Sequence, residues 1–340
     1  MSTKRNSVAQ VNFLMLAIGA LIIAGGCGTS STTTTPPIVE AKNIYVTQTL
    51  GVEVFPIATN GNVAPTTTIT DATNAFSDVH RSAFDGSGNL YVTDAGNNSV
   101  VEFAAGASGA ATPPATITGT SLVSPSGVAI DTHGSIYVSN HGNNTIVVFA
   151  AGATGNATPT TTISGASTQL DAPNGLALDS KGNIYVANEG RTVNAGGSIT
   201  VYPAGSTGNA TPSAVITGTT SGVNIPHAVT LDSSGKIYVT NANSSVDSVT
   251  VYAAGATGNV APMFTIAGTS TGLSNPNGIA VDLEGNIYVV SNTFPLTGNV
   301  GFILVFPAGS NGNVTPSATI TGAATGFDAG HTVVHGVSVR

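Results

Sequence analysis

The sequence predicts an all-β fold, a closed ring of six four-stranded units, and three observations carry that expectation. A cassette of about fifty residues is written six times between Asn43 and Arg340, the length of one supersecondary unit in a repeat array. Each complete cassette divides into four short runs rich in Val, Ile, Thr and Tyr, bounded by Gly, Asn, Asp or Pro. The first cassette lacks its opening run, and the chain ends on a run that matches the missing one. Four-stranded sheets repeated radially make a β-propeller, here of six blades.

The chain opens on a targeting segment, which is set aside before the fold is read. Lys4 and Arg5 precede an apolar run from Val11 to Ile23, interrupted only by Asn12, and then Ala24-Gly25-Gly26-Cys27. The run is too short to span a bilayer as a helix. The segment resembles a bacterial lipoprotein signal, whose terminal Cys is acylated and becomes the first residue. Residues 1–26 are therefore expected to be a lipoprotein signal peptide and 27–41 an acylated Cys27 with a Thr/Pro-rich tether. Residues 42–340 are expected to form the propeller. Cys27 is the only Cys, so no disulfide can form within the chain. Acyl chains on that residue can hold a protein at a membrane stably.

Within the propeller, the unit from Pro173 shows each strand in turn: PNGLALD, NIYVAN, SITVYPAG and SAVITG. The first two are joined by D-x-x-G, a tight turn in which Asp179 bonds amides and Gly182 takes a positive φ. The turn recurs at Asp85/Gly88, Asp131/Gly134, Asp232/Gly235 and Asp282/Gly285. These five Asp read as turn formers, not as a catalytic series. All eight Tyr and four of the eleven Phe fall at two cassette positions, the N-I-Y-V site and the end of the third strand. Rings at one depth in every unit suit packing between neighbouring sheets. The first blade starts at its second strand, NIYVT from Asn43, and HGVSVR from His335 supplies the innermost one. That closure removes two free sheet edges.

The cassette P-x-G-[VIL]-A-[VIL]-D-x-x-G-N-I-Y-V-[AST]-N-x-x-x-N-x-[IV]-x-V-[FY] resembles the NHL repeat and covers the chain from about Asn43 to its end. The resemblance implies a propeller of a kind that includes binding modules, lactonases, lyases and other hydrolases, so function must be argued from the site. Gluconolactonase-like and paraoxonase-like relatives hold a Ca²⁺ near the axis with a Glu, an Asn and an Asp. Here no ring position is acidic. The ring histidines are similar to those of streptogramin-lyase-like propellers, which usually have seven blades.

The residue before the Gly position of each innermost strand is expected to form a ring about the axis: His80, Ser126, Asn174, His227, Asn277 and His335. The exits of the second strands place Gln48, Asp94, Asn140, Asn188, Asn241 and Asn292 on the same face, with His141, Glu189 and His331 in neighbouring loops. The six ring residues together with Asp94, Asn140, Asn188 and Asn241 are the candidate ligand-binding set. One reading has them bonding loop backbone and channel water. A second has them recognising a ligand in a concave polar mouth. A third makes His80, His227 and His335 a metal or acid–base site, since imidazoles suit divalent transition ions and general-base chemistry.

The net charge is −8, which removal of Lys4 and Arg5 would take to −10, and no basic run is present. That balance argues against nucleic acid and against electrostatic docking on anionic lipid. No G-x-S-x-G, Cys nucleophile, H-E-x-x-H or P-loop occurs. The expectation is a monomeric propeller lipid-anchored to the bacterial envelope, at the outer membrane, periplasm or cell surface. It would act as a binding or scaffolding module for a glycan, peptide or envelope protein. The alternative is a metal-assisted lactonase, hydrolase or lyase using a divalent metal on the same face.

Overall fold

A computed structural model of the chain describes residues 42–191, 196–242, 246–293, 300–327 and 333–340. The leader, Cys27, the tether and His331 lie outside the described residues. The described residues form six antiparallel sheets of four blade strands. Blade 1 comprises Asn43–Gln48, Gly51–Pro56, Thr67–Asp71 and, innermost, Val334–Val339; Gly109–Ala111 adds a short parallel edge strand. Blades 2 to 6 begin on the innermost strands Val79–Phe84, Pro125–Ile130, Pro173–Leu178, Pro226–Leu231 and Pro276–Val281. The terminal strand pairs with the first, Val46 opposite Val337, so the expected closure is present.

The D-x-x-G turns behave as expected. Asp85 Oδ1 accepts from the amides of Ser87 and Asn89 at 2.9 and 2.8 Å, and Asp131, Asp179 and Asp232 repeat the pattern. Their glycines lie at φ between +80° and +95°, where a Cβ would be strained. The third-strand rings of Phe55, Phe103, Phe149, Tyr202, Tyr252 and Phe306 are at most 1% exposed. Burying such a ring contributes about 2–3 kcal/mol. Each apolar cluster joins residues of two adjacent blades, as where Tyr252 packs with Ile199 and Val201. The core is therefore six inter-blade seams, and no blade buries its faces alone.

A clasp in the A-G-x-x-G-N-x-x-P loop links the outer rims. Asn209, Asn259 and Asn313 Oδ1 each accept an amide of the preceding blade at 2.7–2.8 Å, from Ser167, Thr220 and Ser270. Asn62 does the same across the closure, accepting from Ala324 at 2.7 Å. The ring is thus closed twice, by a shared sheet inside and a side-chain clasp outside. Lys42 and Arg340 meet at the end that carries the D-x-x-G turns, where Arg340 Nη1 donates to Asp85 O at 2.8 Å. The entry loops of the innermost strands occupy the opposite end, called the ring end below.

Removing residues 334–340 is expected to expose both edges of the broken blade and abolish the single cooperative thermal transition. A truncated chain that melts at the full-length temperature would contradict this account of closure.

Candidate functional site

Each innermost strand enters from the ring end through a β-bulge, seen as a register shift in all six blades. A bulge re-aims one side chain out of the pleat, and the re-aimed residues are the six expected from the sequence. The next position is Gly127, Gly175, Ala228, Gly278 and Gly336 in five blades. A Cβ on Gly175 or Gly278 would stand 2.8 Å from a neighbouring strand's Cα, so small residues here let the strands crowd the axis.

In blade 2 the same position is Arg81, a residue the sequence reading did not single out. Its side chain is buried at the axis and donates to backbone and side-chain oxygens of other blades. Nη1 donates to His335 O; Nη2 lies 3.0 Å from His227 O and 3.1 Å from Asn277 O, Asn277 Oδ1 and Asn174 Oδ1. Burial pushes its pKa down to about 10 against the opposing charge of Glu189.

The reason for Arg81 lies one strand out. The hydroxyls of Thr47, Thr93, Ser139 and Thr240 each donate to the ring carbonyl of the following blade, at His80, Ser126, Asn174 and Asn277. Blades 4 and 6 carry Ala187 and Val290 at that register, opposite Ile199 and Ile303. The carbonyls that these two cannot reach belong to His227 and His335, and Arg81 donates to both. One guanidinium thus stands in for two missing hydroxyls, as buried carbonyls require.

Around Arg81 the ring side chains form a linked chain. His80 Nδ1 lies 3.2 Å from Ser126 Oγ, which donates to Asn174 Oδ1 at 2.6 Å. Asn174 Nδ2 donates to Glu189 Oε1 at 2.7 Å. Glu189 also faces His141 Nε2 at 3.4 Å, Arg191 Nη2 at 3.1 Å and His227 Nε2 at 3.9 Å. On the other side Asp78 faces His80 Nε2 at 3.2 Å and His335 Nε2 at 3.6 Å, and the two imidazoles stack 4.4 Å apart at 9°.

The structure therefore divides the three candidate catalytic and metal-binding histidines. His80 and His335 stand together with Asp78, while His227 belongs with Glu189 and His141. Asn277 is held by Arg81. Among the described residues two acids stand against the ring histidines: Glu189, placed on this face by the sequence, and Asp78, which the sequence reading missed. Asp78 precedes the cassette by one residue and carries no repeat signal; only its two-residue spacing from His80 could have marked it.

The strand-exit residues have another task. Asp94, Asn140, Asn188 and Asn241 are at most 1% exposed. Asp94 accepts from the amides of Ser77 and Asp78, Asn140 from Val123, Asn188 from Asp171 and Asn241 from Asn224. They hold the entry loops that present the ring. Ser124, Ala172, Ile225 and Asn275, each just before an innermost-strand proline, sit at φ between +42° and +53°. Left-handed backbone at Ile225, a β-branched residue, is strained and is kept only where its surroundings impose it.

Burial leaves the inner histidines neutral. It pushes His227 down to about 4 against the Glu189 charge, with Arg81 adding to the drop. It pushes His335 down to about 3, helped by His80 and opposed by Asp78. Burial acts to raise the Glu189 carboxyl, but His141, His227 and Asn174 together hold it at about 2.

These shifts share one sign. Between pH 6.5 and about 4 the unfolded chain protonates the two histidines while the folded chain refuses the protons, so stability falls as pH drops. The depressed Glu189 adds stability above pH 4.5 that is lost towards pH 2. Urea midpoints are expected to be lower at pH 5 than at pH 7, with His227→Gln and His335→Gln together flattening the difference. An unchanged slope in the double variant would contradict it. Arg81→Met is expected to cost about 3 kcal/mol, because buried carbonyls lose their donors; a urea midpoint equal to wild type would contradict that role.

Comparison with known proteins agrees with the architecture. The NHL repeat model matches residues 122–149, and a model described as a beta-propeller repeat matches residues 264–293. No curated protein matches the chain significantly in sequence. Among solved structures, a protein of unknown function from Bacteroides caccae superposes with a TM-score of 0.59 at 8% identity, covering 88% of this chain and 98% of that one. A candidate 6-phosphogluconolactonase from Bacteroides fragilis gives 0.54 at 15% identity, covering 88% and 84%. A Lactobacillus plantarum protein gives 0.51 at 16% identity, covering 83% of each chain. At such identities the likeness is one of fold alone. The chain is a six-bladed β-propeller, and one of its segments, residues 122–149, matches the NHL repeat.

Proposed function

We propose that this propeller is an envelope-anchored binding module that receives a glycan or peptide at its ring end. The observation that carries the reading is the closure of the axis by Arg81. A plain propeller channel runs through; here Arg81 closes the axis beneath the ring side chains. His80, His141, His227, His335 and Glu189 remain 13–23% exposed at their side chains and Asp78 44%, so donors and acceptors face solvent from a rigid base. Mixed polar groups on a preorganised scaffold suit a ligand bearing hydroxyl, amide and carbonyl groups.

Anchoring follows from Cys27 and the tether. The described chain begins at Lys42, beside Arg340 at the turn end. The second reading, a metal-assisted lactonase or lyase at the same face, draws on the Asp78 and Glu189 carboxylates set against histidines.

The test uses full-length protein with Cys27→Ser, screened against envelope glycans and peptides. Any captured ligand is expected to lose at least about tenfold in affinity with His227→Ala, as for a contact at the centre of an interface. His133→Ala, at the turn end, is expected to leave affinity unchanged. Equal loss in both variants would overturn the assignment of the ring end, and release of altered ligand would favour the enzyme reading. Cys27→Ser is also expected to move the protein from the membrane to the soluble fraction; persistent membrane association would contradict the anchor.

A further inference from the structure

The hydrogen-bond accounting around Arg81 has an outcome at the far end of the chain of side chains. Arg81 Nη2 donates to Asn174 Oδ1, and Asn174 Nδ2 donates to Glu189, so the amide orientation is fixed from both ends. Ser126 Oγ, 2.6 Å from that amide oxygen, must donate to it. A serine has one proton to give, so Ser126 accepts from His80 and the proton sits on Nδ1. The other ring nitrogen, Nε2, faces Asp78 Oδ2 at 3.2 Å. A second imidazole nitrogen, His335 Nε2, faces the other oxygen of the same carboxylate at 3.6 Å. Two imidazole nitrogens and one carboxylate thus converge on a single gap. The three ligand atoms of Asp78, His80 and His335 lie within 4.8 Å of one another.

We infer that this gap is a binding site for one divalent first-row transition ion, held by Asp78, His80 and His335. Two imidazoles and one carboxylate suit Zn²⁺, Co²⁺ or Fe²⁺ and leave coordination positions open; Ca²⁺, which takes six or more oxygens, does not fit the set. The assignment differs from the Ca²⁺ that lactonase-like propellers hold, whose acidic ligand set the ring positions of this chain lack. It also differs from the three-histidine candidate set that the sequence offered as one of its readings, since His227 is excluded. The parallel stack of His80 and His335 must open for both in-plane lone pairs to converge, so capture turns one ring. Asp78 is the accessible ligand, hung by its amide on buried Asp94 at 2.9 Å. Ser126 and Asn174 act as positioning residues that hold the His80 tautomer, as outer-shell partners of metal ligands do. The inference rests on the ring end being the functional face, but it does not need a glycan or peptide ligand to be right.

The test uses the full chain with Cys27→Ser, without a histidine tag, stripped with chelator and titrated with Zn²⁺ by calorimetry and with Co²⁺ by visible absorption. One ion per chain is expected, with ligand-field bands for Co²⁺. Asp78→Asn and His335→Ala should abolish the bands, and Ser126→Ala should weaken Zn²⁺ binding by about tenfold. His227→Ala should bind as wild type does. Absence of stoichiometric uptake would overturn the inference. Equal loss in His227→Ala would overturn the ligand set. Thermal unfolding of each variant separates a lost ligand from a lost fold. Glycan or peptide capture repeated in chelator reads the binding-module proposal separately.

Discussion

Six strands that converge on an axis bring their backbone carbonyls into a space too narrow for bulk water, and supplying donors to those carbonyls is the constraint on which the rest depends. Four second-strand hydroxyls meet it locally, from Thr47, Thr93, Ser139 and Thr240. Two blades lack the hydroxyl, and Arg81 reaches across to cover both. A buried cation without a carboxylate in contact is ordinarily costly. Here several oxygen dipoles surround it, and the alternative is orphaned carbonyls.

The same side chain makes the two ends of the molecule unlike. On the turn side of Arg81 the axis opens into a cavity of about 360 Å³ lined by innermost-strand residues such as Val128, Leu176, Val229, Ile279 and Val337. On the ring side it fixes the Asn174 amide, and through it the polarity of Ser126 and His80. An interaction that answers a folding problem therefore also orients the polar floor. The folded state binds fewer protons at His227 and His335 than a solvated imidazole would, because that floor is buried beside a permanent cation.

Much of this was legible in the amino-acid order because the cassette repeats. Turn aspartates, the two aromatic positions, the six ring residues and the closure by Val334–Val339 each follow from a pattern read in register. What escaped lay where register hides information. Arg81 occupies a position that the consensus writes as Gly, and the pairing of Ala187 and Val290 with it spans three blades. Asp78 stands outside the cassette. The strand-exit Asn and Asp were legible as polar groups on the correct face, but polarity alone did not say which way they point. Backbone amides of the entry loops claim them first, since an unpaired buried amide costs more than an unused ligand contact gains.

The central claim is that Arg81 replaces two hydroxyls, and a double-mutant cycle tests it directly. Arg81→Met is measured by urea unfolding in the wild-type background and again with Ala187→Ser and Val290→Thr, which restore hydroxyls at the two deficient registers. The account predicts that the substitution costs clearly less in the restored background, with a coupling on the order of 1 kcal/mol or more. An equal cost in both backgrounds would show that Arg81 is not serving the His227 and His335 carbonyls.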